Sequence, residues 1–108
     1  MSFKIALSPT YRVNVVVETP KESGGFERND FTAVFKRVDM KDLEELTKIP
    51  QIEIIDRVLI GWIDLLDEND EPVEYNAGHR AALLRIPQAG PALIEAFWNS
   101  IYKAREKN

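Results

Sequence analysis

Between residues 11 and 19 the chain alternates, with Tyr11, Val13, Val15 and Val17 separated by mostly polar residues. A period of two with β-branched side chains predicts a strand with one buried face. Pro20 ends it, and Ser23, Gly24 and Gly25 mark a loop whose glycines accept positive φ. Alternation resumes over residues 31–38, with Phe31, Ala33 and Phe35 on one face and Thr32, Val34 and Lys36 on the other. An antiparallel pair is the simplest arrangement of the two strands.

The period changes at Asp39. This residue suits an N-cap, Asp42 follows in the first turn where the helix dipole favours a carboxylate, and Leu43, Leu46 and Ile49 recur at a spacing of three. The pattern predicts a short helix stopped by Pro50. Over residues 51–60, Ile52, Ile55, Val58 and Leu59, continued by Trp62, suit a helical face, and Asp56-Arg57 falls on its polar side. Helix is the preferred reading, although the β-branched content also permits a strand. Gly61 marks a break before a short strand over residues 62–66. An acidic turn follows, and Val73 and Tyr75 form the return arm of a short hairpin around residues 62–75. Asn76 suits the N-cap of a helix over residues 77–86 ended by Pro87, and Pro91 suits the first residue of the last helix. There Ile94, Phe97, Trp98 and Ile101 form an apolar stripe opposite Glu95, Asn99, Lys103 and Glu106. The expectation is an α+β fold: a small N-terminal antiparallel β-sheet or hairpin followed by three to four helices. At 108 residues it makes a single domain, 1–108.

Composition narrows the chemistry. Fourteen basic residues against 18 acidic ones give a net charge of -4, which argues against a nucleic-acid partner. The charge is segregated: residues 1–38 carry +2, residues 39–75 carry -9 and residues 76–108 carry +3. A solvated acidic face is the plain reading of that middle segment, and a docking surface for a basic partner the sharper one. With no Cys and only His79, thiol chemistry and a paired-histidine zinc site are ruled out. No apolar run approaches the roughly 20 residues of a membrane span, and the opening Met-Ser-Phe-Lys lacks the apolar core of a signal peptide. The expectation is a cytoplasmic protein with no membrane partner.

The densest polar cluster, Asp64 with Asp67, Glu68, Asn69, Asp70 and Glu71, invites a calcium reading. Its spacing fails: a loop starting at Asp67 should carry Gly at its sixth position and Glu at its twelfth, and holds Pro72 and Gly78 there. A solvated turn is the better reading, and nothing indicates the apolar pocket that acid-base work by Asp67 and Asp70 would need. His79, near the start of its helix with no partner spacing, reads as a surface histidine. Ser23-Gly24-Gly25 lacks the Lys and Ser/Thr of a phosphate loop. Trp62, Phe97, Trp98 and Tyr102 sit at core-like spacing, with Phe97 and Trp98 about 100° apart on a helix. That implies an apolar face wide enough to leave part for a partner or for self-association. No catalytic, cofactor-binding or metal-binding residue is assigned, and no cofactor is expected.

Three stretches together carry a resemblance: Phe31-Thr-Ala-Val-Phe-Lys-Arg37, the block Val58-Leu-Ile-Gly-Trp62 running into Leu65-Leu-Asp67, and the step Pro72-Val-Glu-Tyr-Asn76 into a helix. Over residues 11–102 the chain resembles the tail assembly chaperones of long-tailed, siphovirus-like bacteriophages and prophages. It departs at the turn, where the family often has Asp-Gly and this chain has Asn69-Asp70-Glu71. The resemblance implies a non-enzymatic role: binding the tape-measure protein, keeping it soluble, and helping to recruit the tail-tube protein. It also implies presence in the cytoplasm of the bacterial host and absence from the mature virion. The partner contacts expected are Trp98 and Tyr102, with Trp62 a further candidate that the pattern places rather in the core. Family members are often also made in a longer, frameshifted form, and Glu106-Lys107-Asn108 can be encoded by a slippery run. The alternative is a small structural component of the phage tail or head-tail connector.

Overall fold

The computed structural model describes residues 1–102. The sequence expectations for Lys103 and Glu106, and for a slippery run at the end of the gene, lie outside them. Strand β1 (Thr10–Pro20) and strand β2 (Phe26–Lys36) form a long antiparallel hairpin, paired in register from Thr10 opposite Lys36 to Pro20 opposite Phe26. The turn between them uses Gly24 and Gly25 at φ of 96° and 75°, conformations that a Cβ would disfavour. Strand β2 starts five residues before the alternation of its sequence does. Residues 26–30 are all exposed, so no buried face marked them as a strand.

Helix α1 (Met40–Leu46) is capped as expected: the Asp39 carboxylate accepts from the Asp42 amide at 2.8 Å. Helix α2 (Gln51–Val58) then runs into strand β3 (Leu59–Ile63), which pairs antiparallel with β2 and gives the sheet order β1-β2-β3. The stretch 51–60 is thus helix up to Val58 and strand after it. Ile54, not Ile52, joins Ile55 and Val58 in the core, and Ile52 is exposed. Gly61 is no break but lies inside β3, where a Cβ would stand 3.5 Å from that of Val34. A shift of register between Val34 and Phe35 puts Leu59 opposite Phe35 and Trp62 opposite Ala33. Leu59 and Trp62, three apart, are therefore both buried, where regular alternation would send them to opposite faces.

Residues 64–76 close as a turn rather than a full hairpin. A single bridge joins Leu66 and Pro72, and the Val73 amide donates to the Leu65 carbonyl at 2.8 Å. Helix α3 (Ala77–Leu84) starts at the Asn76 cap, whose side chain accepts from the His79 amide at 2.8 Å. It ends two residues earlier than expected, its last turn tightening as the Ile86 amide donates to Leu83 and Pro87 follows without an N–H. Helix α4 (Ala89–Ile101) starts before Pro91, not at it. Pro91 is its third residue, still within the first turn, whose amides have no helical acceptor in any case.

The core forms where the inner face of the sheet, Val15, Phe31, Ala33 and Phe35, meets Ile54, Ile55 and Val58 of α2 and Leu93, Ile94 and Phe97 of α4. Each fully buried side chain of this size contributes about 1.5–3 kcal/mol. Helix α4 is fixed to β1 by the Tyr11 hydroxyl, 2.8 Å from Ser100 Oγ, and to β2 by the Phe35–Phe97 edge contact at 5.4 Å. Over the described residues the chain is thus mixed α+β, a three-stranded antiparallel sheet with four helices. Among the described residues no helix is long and apolar enough to cross a membrane.

Candidate partner-binding surfaces

An aromatic series leads from the core to the surface at the end of α4. Phe35 meets Phe97 edge-on, Phe97 meets Trp98 at 5.2 Å, and the Trp98 ring stacks on Tyr102 at 6.0 Å with 10° between the planes. Trp98 is half-buried and Tyr102 is 62% exposed. Helical spacing brings the two rings together, since residues four apart share a face. They form a flat apolar plate on a rigid helix, a surface that stacks against another apolar or aromatic side chain at little conformational cost.

Trp62 belongs elsewhere. It is only 8% exposed, its Nε1 donates to the Val73 carbonyl at 2.7 Å, and its ring meets Tyr75 edge-on at 4.8 Å. Tyr75 in turn donates its hydroxyl to the Leu59 carbonyl at 2.9 Å. These two side chains clamp the 64–76 turn to β3, so Trp62 is a buried anchor and not part of an exposed contact surface.

Within the acidic cluster one carboxylate oxygen is spent on its own backbone. Asp67 Oδ1 accepts from the amides of Asn69 and Glu71 at 2.8 and 3.0 Å, and Asp70 takes a left-handed φ of 60° at the turn that lacks a glycine. Asp64 also adopts positive φ, 63°. His79 Nδ1 lies 2.6 Å from the Glu74 carbonyl, which a protonated Nδ1 satisfies. Among the described residues no group of three or more His, Asp or Glu side chains is placed to hold a metal ion.

Two features are new relative to the sequence reading. Residues 1–9 lie outside every helix and strand, and expose Phe3, Ile5 and Leu7 at 83%, 93% and 53%. Their period of two was a readable signal. The second is a groove of about 410 Å³ at the turn end of the β1–β2 hairpin, with Val17, Phe31, Leu66, Leu83 and Ile86 in its apolar lining. Its rim carries Glu27, Asp30, Asp64, Asp67 and Asp70, with no Lys or Arg among the described lining residues. No linear pattern could reveal it, because its walls come from β1, β2, the 64–76 turn, α3 and the segment joining α3 to α4. Compared with family models, curated proteins and solved structures, the chain matches none.

Proposed function

We propose that this protein is a binding protein without a catalytic centre, a phage tail assembly chaperone that holds the tape-measure protein soluble and helps to recruit tail-tube subunits in the host cytoplasm. The reading rests on the resemblance carried by residues 11–102. The observation that supports it best is the Trp98–Tyr102 plate, a half-buried Trp and an exposed Tyr backed by Phe97 and Phe35 at the end of a core helix. A tape-measure protein is long, helical and apolar in places. An aromatic plate suits its apolar side chains, and the -9 carried by residues 39–75 adds charge to the complex and keeps it dispersed.

Co-expression with the tape-measure protein of the same genome tests this. The expected outcome is a soluble tape-measure protein that co-purifies with the chain, and loss of co-purification in Trp98→Ala and Tyr102→Ala variants that remain folded. A tape-measure protein that stays insoluble and unbound would count against the proposal. Retention of the chain in purified particles would favour a structural tail component instead.

A further inference from the structure

We infer that the acid-rimmed groove at the turn end of the hairpin receives residues 3–7 of a second copy of this chain. The two surfaces match in chemistry. Phe3, Ile5 and Leu7 alternate with Lys4 and Ala6, and residues 1–9 carry one base and no acid. The groove combines apolar side chains with acidic residues in its lining, among them Glu27, Asp64, Asp67 and Asp70. An extended segment seated there buries one face on Leu66, Ile86 and their neighbours and turns Lys4 toward the acidic rim.

The chain cannot fill its own groove. The Arg37 amide donates to the Pro9 carbonyl at 2.8 Å and Arg37 Nε donates to the Ser8 carbonyl at 2.6 Å. The arm is therefore held at the end of the sheet opposite the groove. The lining residue of the hairpin nearest the arm, Phe31, stands opposite Val15, seven residues along β1 from Ser8 and about 23 Å away at the rise of a strand. From Ser8 back to Phe3 is five residues, at most about 18 Å when fully extended. Phe3 at most touches that near edge while Ile5 and Leu7 fall well short, so the arm cannot seat in its own groove, whereas the groove of a neighbouring molecule imposes no such limit. Five arm residues bury less than a standard interface, so the association is concentration-dependent rather than permanent.

The absence of cysteine makes the test direct. Chains carrying Ile5→Cys are mixed with chains carrying Ile86→Cys under mild oxidation, and the wild-type chain is followed by sedimentation equilibrium. The expected results are a mixed disulfide between the two variants and an average mass that rises above 12.4 kDa with concentration. A Phe3→Ser/Ile5→Ser chain, altered only at exposed positions and verified by circular dichroism, should associate at least about tenfold more weakly. Lys4→Glu should weaken association roughly threefold, as should added salt. The inference is overturned by a single-chain mass at every concentration, by association that the arm variant leaves unchanged, or by a disulfide within one chain in an Ile5→Cys/Ile86→Cys protein. It does not depend on the tape-measure reading, since its test contains no other protein and leaves Trp98 and Tyr102 untouched.

Discussion

The indole of Trp62 does two separable things: it fills space beside Tyr75, and it satisfies the Val73 carbonyl with its N–H. Trp62→Phe keeps most of the first and removes the second, so a loss of about 1–2 kcal/mol is expected from the unpaired carbonyl. Trp62→Ala removes both and should cost about 3–5 kcal/mol. That is a large part of the roughly 5–15 kcal/mol that holds a domain folded. Urea denaturation of the two variants beside the wild type reads the difference. Equal losses would mean that the packing beside Tyr75 contributes nothing, and an unchanged Trp62→Phe that the hydrogen bond contributes nothing. Asp70 poses a simpler question. Its left-handed φ is one that glycine adopts without a Cβ penalty, and Asp70→Gly should raise stability by about 0.5–1 kcal/mol through relief of that conformation. A fall in the denaturation midpoint would show instead that the Asp70 side chain holds the turn.

Between elements, Arg80 is the tie that joins α3 to α2. Its Nη2 donates to the Ile55 carbonyl at 3.0 Å and its Nη1 stands 3.1 Å from the Asp56 carboxylate. Asp56 is more than half exposed, so the ion pair counts for little and the hydrogen bond to the carbonyl for more. Arg80→Met keeps the apolar stem and should cost about 1 kcal/mol, with amide exchange rising in α3 before it rises in the sheet. Uniform exchange would argue that α3 is held by Leu83 alone. The same scale shows what a sequence reading could reach. The caps Asp39 and Asn76 were legible because a cap acts on an amide three residues away. The inner face of the β1–β2 hairpin was legible because its pairing is local. Strand β3 was legible only at Trp62 and Ile63, the start of the strand expected over 62–66, because the register shift at Val34/Phe35 gave Leu59 and Trp62 the spacing of a helix. Of the candidate contacts, Trp98 and Tyr102 are neighbours on one helix and could be read together, while the burial of Trp62 depends on Val73 and Tyr75 folding back over it.

At the scale of the whole molecule, charge is laid out along the hairpin. Arg12, Lys36 and Arg37 stand at the end that carries the arm, and the groove with its five carboxylates stands at the other. With a sequence pI near 5.0, solubility should pass through a minimum close to pH 5 and recover on either side, as turbidity against pH will show. Solubility that falls steadily through pH 5 would point to association driven by the apolar surfaces alone. The contrast between the two tryptophans has a practical side as well. Trp62 is sealed beneath the 64–76 turn and Trp98 lies at the surface end of α4, so a dissolved quencher such as iodide should dim the emission of Trp98 and leave that of Trp62 nearly intact. A partner arriving on the plate would protect the first signal, and loss of the turn would expose the second. One fluorescence titration can then distinguish docking from unfolding without any added label.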